Sequence, residues 1–192
     1  MPYSPNSLAT RLIAAAFISS ALLMLNACSA QNSGSGVRHL GAPIEGYSHT
    51  SDAINRFSVN GNGGPNVGPH QGGGKQNCCV TLPVTWQPGL TVVVEWEKDP
   101  DPLAYGSWPE KMFTDAWNER MAEHSKKYTH HRVEVEVAPY DAMGVVSDNF
   151  LPCNEVKVAA GTTRPGLPNN PYQYSLNMEE PDQCPPSPKD KT

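Results

Sequence analysis

Apolar and polar positions alternate most strictly over "HRVEVEVAPY", residues 131–140. Val133, Val135 and Val137 fall on one side and Arg132, Glu134 and Glu136 on the other. A period of two marks a strand with one buried face. "NEVKVAA" (154–160) repeats the pattern, while "IEGYSHT" (44–50) and "AINRFSVN" (53–60) read as two short strands and "CCVTLPV" (78–84) and "GLTVVVEWE" (89–97) as β-branched strands. Pro88 and Gly89 sit between two of these runs where a tight turn needs them, which predicts a hairpin. The period changes in "SWPEKMFTDAWNERMAEHSKKY", residues 107–128, where Met112, Phe113, Ala116, Trp117 and Met121 form a stripe at helical spacing. Ser107 and Glu110 are spaced as a capping box with Pro109 in the first turn, so the helix is predicted to open at Ser107.

Two stretches have no such period. Between Gly61 and Gly74 there are seven glycines in fourteen residues, too many for a strand or helix interior, which predicts a loop. Beyond Gly161 the chain holds seven prolines in 31 residues and few aliphatic side chains, so residues 161–192 read as a disordered proline-rich tail. Tyr172, Tyr174, Leu176 and Cys184 suggest that part of it is fastened to the domain. Short strands, glycine and proline turns and one inserted helix predict a mainly β fold, a small antiparallel β-sandwich over residues 44–160.

At the N-terminus, Leu12 to Leu25 is a 14-residue apolar run behind Arg11, the length of a signal-peptide core and short for a membrane span. It ends in Leu25-Asn26-Ala27-Cys28, which matches a lipoprotein processing site, with residues 1–27 as signal peptide and Cys28 as the acylated residue. Several acyl chains on one cysteine give stable anchoring where one is marginal. Residues 28–43 then form the lipidated start and a flexible tether. Ser29 in place of an aspartate favours the outer membrane, with the domain facing the periplasm. Removing residues 1–27, which hold one arginine and no acid, takes the net charge from −5 to −6. An acidic domain is a poor partner for nucleic acid and suits a basic partner better.

Four cysteines remain after Cys28: Cys78, Cys79, Cys153 and Cys184. In an oxidising compartment an even number reads as disulfides. Neighbouring strand residues point to opposite faces, which favours Cys78 and Cys79 reaching separately to Cys153 and Cys184. The alternative is a bond between Cys78 and Cys79 with Cys153 joined to Cys184.

Candidate chemistry thins out on inspection. Gly74-Lys75 is followed by Gln76, where a phosphate-binding loop needs Ser or Thr, and Pro69 stands where it needs glycine. Adjacent cysteines do not match zinc or thiol-redox spacing, and His124, His130 and His131 read as solvated surface residues. Ser48 and His49 read as a polar strand edge facing opposite ways, and Glu97, Asp99 and Asp101 as a solvated acidic turn. No metal, cofactor or catalytic set is expected, and the chain is read as a non-enzyme.

Taken together, "GYSHT", "FSVNGNGG", the glycine loop with "CCVTLPVTWQPGLTVVVEW", and "FLPCNEVKV" resemble the bacterial lipoprotein family called domain of unknown function 3304, over roughly residues 44 to 159. The family brings no catalytic residues to carry over. Its genomic setting resembles that of small lipoproteins beside type VI secretion lipase effectors. The resemblance therefore implies a protein partner, a phospholipase effector that the tethered domain binds and neutralises in the periplasm, as an immunity protein does. The glycine loop is expected to be the recognition element because it is too glycine-rich to be a packing element, with Asn66, His70, Lys75 and Gln76 as contact residues. The competing expectation is an envelope scaffold or ligand-binding lipoprotein without catalysis, for which Trp86, Trp96 and Trp108 would be the exposed aromatics.

Overall fold

The computed structural model describes residues 37–185. The predicted signal peptide and Cys28 lie outside the described residues, as does the end of the tail from 186. Eight strands run in the order β1 (His39–Ser48), β2 (Ala53–Val59), β3 (Asn62–Gly63), β4 (Asn77–Pro83), β5 (Thr91–Asp99), β6 (Thr129–Glu136), β7 (Val146–Phe150) and β8 (Val156–Ala159). They make two four-stranded sheets, β4-β1-β7-β8 and β3-β2-β5-β6. The architecture is the expected mainly β sandwich. Its pairings are antiparallel except for β1 with β7, which run parallel. β1 begins at His39, ahead of the predicted domain start at residue 44.

The alternation that predicted the strands also builds the core. Ile44, Val80, Leu82, Val146, Phe150, Val156 and Val158 of one sheet face Ile54, Phe57, Val59, Val92, Val94 and Trp96 of the other, and all are buried. Phe150 is the central contact, edge-on to Phe57 at 5.1 Å between centroids and tilted against Trp96 at 5.7 Å. Such aromatic pairs add to the apolar area each ring removes from water. β6 keeps Val133 and Val135 half-buried and its charged residues exposed, and Val137 just past it bridges Val158, joining the sheets along one side. In the predicted turn, Leu90 N–H donates to Gln87 O across Pro88 and Gly89.

The helix is shorter than predicted. It runs Asp115–Ser125 (α1) with Thr114 as its N-cap, the Thr114 hydroxyl accepting from Trp117 N–H. Ser107 ends a separate 3-10 turn, Ala104–Ser107. Phe113 has φ 65°, a left-handed conformation that cannot belong to a right-handed helix, so the Ser107/Glu110 box cannot open it. Nor is the apolar stripe a core face. Met112 and Phe113 precede the helix and are exposed, Trp117 and Met121 are half-buried, and the one buried helical residue is His124.

No helix or regular strand occurs after Ala159 in the described residues. Residues 161–185 are nonetheless held to the sandwich, by a Cys153–Cys184 disulfide and by Glu180, which accepts from Cys153 N–H and pairs with Lys98.

Candidate functional site

The glycine-rich segment continues both sheets along their shared edge. After β3, Val67 exchanges two backbone hydrogen bonds with Ile54 of β2, at 2.8 and 2.9 Å. The chain then crosses over. His70 N–H donates to Thr50 O, Ser48 N–H to Gln71 O at 2.7 Å, and Gly73 N–H to Gly46 O, before β4 pairs with β1.

Gly64 and Gly72 are packing residues, contrary to the expectation that the loop is too glycine-rich to be a packing element. A Cβ on Gly64 would enter the Phe57 ring, and one on Gly72 would meet the ring and backbone of Tyr47. Glycine is required where the loop backbone lies flat on these aromatics. Gly74, by contrast, faces open space.

Over this frame lies a cleft of about 540 Å³ lined by loop residues 65–68 and 70–75, together with Gly46 and Leu176 of the tail. Of the four predicted contact residues, the structure brings Asn66, His70 and Lys75 to this cleft. Lys75 Nζ donates to Asn66 Oδ1 at 3.2 Å, and His70 Nδ1 lies 2.9 Å from Leu176 O. Gln76 is turned away, with Nε2 donating to Glu45 Oε2 at 3.1 Å.

Glu45 belongs to a buried polar face that the alternation pattern did not reveal. On the side of β1 turned from the core, Glu45, Tyr47 and His49 are all buried, with Ser147 and Asn149 beside them on β7. Tyr47 donates to Glu45 Oε1 at 2.8 Å. Burial first, then the Glu45 carboxylate, pushes the Tyr47 hydroxyl well above its ordinary value. His49 and Ser48 do face opposite ways, but β1 is an interior strand and both are buried, so they are no strand edge. Ser48 donates inward to Asp52 O at 2.9 Å.

His124 also departs from expectation. It is buried, with Nε2 3.2 Å from Asp99 Oδ2, while Asp99 Oδ1 accepts from Asp101 N–H. Asp99 is therefore a buried hydrogen-bonding residue and not part of a solvated turn. The pair pins α1 to the end of β5. His130 is exposed as predicted, whereas His131 is half-buried and stacked on Trp96 at 5.0 Å. Burial, then Lys98 and His130, lowers the pKa of His131.

The disulfides follow the second of the two alternatives. Cys78 is bonded to Cys79 at the start of β4, and Cys153 to Cys184. The physical reason is reach. The Cα atoms of Cys153 and Cys184 are 5.4 Å apart, inside the span of a disulfide, so the tail cysteine is taken by residue 153 and the strand cysteines have each other. Trp86 and Trp108 are half-buried and Trp96 is in the core. Trp86 donates to Val137 O, and Trp108 packs on Trp117 and His124. Among the described residues no helix is long and apolar enough to cross a membrane.

No curated protein and no solved structure matches the chain. A family model described as "Protein of unknown function (DUF3304)" matches residues 47–158, from Tyr47 under the glycine loop to Val158 opposite Asp148, and so takes in the glycine loop, Tyr47 and His49 of the buried polar face and both cysteines of β4, while Glu45, Gly46 and Leu176 lie outside it. The chain belongs to that family.

Proposed function

We propose that the chain is a membrane-tethered binding protein of the bacterial envelope that neutralises a secreted antibacterial effector, a phospholipase, through the face around residues 61–77. One observation carries this reading. The glycine loop is held by backbone hydrogen bonds from both sheets, yet it presents Asn66, His70 and Lys75 around an open cleft. A loop whose shape is set before binding loses little conformational freedom on association, which favours tight recognition. The apolar run before Cys28 supports a lipid anchor on the outer membrane, facing the periplasm, where a secreted lipase would act.

An inhibitor that must silence an enzyme at low copy number requires nanomolar affinity, about −12 kcal/mol. The test mixes the purified protein with the product of an adjacent lipase gene and measures complex formation and lipid hydrolysis. Complex formation with loss of hydrolysis supports the reading, and Lys75→Glu should weaken the complex at least tenfold. No complex at micromolar concentration, or undiminished hydrolysis, leaves a non-catalytic scaffold or ligand-binding role in its place. The anchor has its own check: Cys28→Ser should abolish palmitate labelling and leave an uncut precursor.

A further inference from the structure

Counted whole, the chain is acidic, with 19 aspartates and glutamates against 14 lysines and arginines. The glycine-loop cleft departs from that balance. Its lining, residues 65–68 and 70–75 with Gly46 and Leu176, contains no aspartate or glutamate. Four other clefts on the surface each include at least one, as Glu97, Asp141, Glu119 and Asp101 show. Lys75 is the one residue of the lining with a permanent charge.

That charge has no carboxylate partner among the described residues. Lys98 pairs with Asp52 and Glu180, Arg120 with Glu110 and Lys157 with Glu155, whereas Lys75 Nζ meets only the neutral amide oxygen of Asn66, at 3.2 Å. An ammonium has three protons, so two remain for a ligand. With Oδ1 turned to Lys75, Asn66 Nδ2 donates to no acceptor among the described residues, and neither do the backbone N–H groups of Gly72, Gly74 and Lys75, all exposed. Gly74 adds to this. Nothing stands within 4 Å of where its Cβ would be, and its φ is not left-handed, so neither packing nor conformation explains the missing side chain. What it leaves is a backbone open to close approach by a ligand.

The surroundings do not cancel the charge. Glu45 of β1 is buried, and its oxygens accept from Tyr47 and Gln76. Arg164, exposed in the tail, acts on Tyr47 with the opposite sign. The tail supplies a wall through Leu176, whose O accepts from His70 Nδ1 at 2.9 Å, and the adjoining Ser175 O lies 2.9 Å from His49 Nδ1.

We propose that the cleft receives a carboxylate: an aspartate or glutamate side chain of a protein partner enters it, held by Lys75 Nζ, Asn66 Nδ2 and the open N–H groups of the loop. One fixed positive charge among neutral donors matches a monoanion. A phosphate group carries more charge and three acceptor oxygens, and is met by arginine pairs or clustered cations, which this lining lacks. The charge of the whole chain favours a basic partner, but exposed charges are screened beyond about 10 Å in about 0.1 M salt, so a contact responds to its own neighbourhood. This deepens the binding face proposed above, on which it rests for the partner being a protein.

The test titrates a hexaglutamate peptide into the nitrogen-15-labelled, detergent-solubilised full chain and follows the amide shifts. Residues 66–75 should shift and those of β5 should not. Lys75→Gln should weaken binding roughly tenfold, as losing one charge-assisted hydrogen bond does. Lys75→Arg should restore most of it, and Lys111→Gln, at an exposed lysine outside the lining, should change nothing. Raising salt from about 0.05 to about 0.5 M should weaken binding roughly threefold or more. Neither hexaglutamine, which is uncharged, nor phosphatidylglycerol mixed into the micelles, which offers phosphate, should shift the loop. No shift with hexaglutamate, a shift that survives Lys75→Gln, or phosphatidylglycerol binding the loop in its place would overturn the proposal. The lipase mixture separates the two readings. Peptide binding without a lipase complex keeps the carboxylate site and removes the lipase, whereas a complex untouched by Lys75→Glu removes the carboxylate site alone.

Discussion

Asp148 lies opposite Gly46 in the parallel pairing of β1 with β7, on the face that turns into the sandwich. Its neighbours two residues away on that face are Val146 and Phe150, and neither carboxyl oxygen has a hydrogen-bond partner among the described residues. A carboxyl in such a place is kept neutral, because charging it without a partner costs far more than binding a proton.

The pH dependence of stability follows. Burial raises the Asp148 carboxyl well above its ordinary value, so the folded chain holds a proton that the unfolded chain releases near pH 4. Below that pH both states are protonated and nothing is lost. As pH rises the unfolded state ionises first, and stability falls by about 1.4 kcal/mol per pH unit until the folded group ionises too. Asp148→Asn should remove this slope in urea unfolding measured from pH 4 upward. Parallel profiles for variant and wild type would refute it.

Gly64 and Gly74 should respond differently to the same substitution. Gly64→Ala drives a methyl into the Phe57 ring and should cost about 1–3 kcal/mol, as overpacking does, whereas Gly74→Ala should stay within about 0.5 kcal/mol. Thermal unfolding of both variants decides it. Equal effects would mean that the loop does not rest on the ring.

Digestion without reduction should release one peptide with Cys78 bonded to Cys79 and one linked pair joining Cys153 to Cys184. Closing a loop of 31 residues restricts the unfolded chain, so Cys153→Ser with Cys184→Ser should lower stability by about 3–4 kcal/mol on the chain-entropy estimate. A peptide joining residue 78 or 79 to 184 would contradict the structure.

Removing the carboxylate of Asp99 leaves His124 Nε2 buried without its acceptor, at a cost of about 1–3 kcal/mol. Because His124 is the one buried residue of α1, the loss should appear first as faster exchange across residues 104–125. Asp99→Ala with unchanged exchange there would show that α1 is held by other contacts.

The chain's own pattern determined the sandwich. Val133, Val135 and Val137 alternate because one side of β6 is wet, and Pro88-Gly89 names its turn locally, so both were legible from neighbours in sequence. Nothing local could reveal that β1 is an interior strand. "GYSHT" looks like an edge because it is polar, and only the covering glycine loop and tail bury Tyr47 and His49. β7 was missed for the same reason: Ser147, Asp148 and Asn149 lack the composition of a buried strand, yet every residue of β7 is buried. The helix start was misplaced because the Ser107/Glu110 spacing is a local signal that the left-handed backbone at Phe113 overrides. The cysteine pairing, the Asp99–His124 contact and the grip of His49 on Ser175, 126 residues away, depend on which distant segments meet. Periodicity reports which side of an element is dry, but partners separated by long chain segments are chosen only when the sheets close.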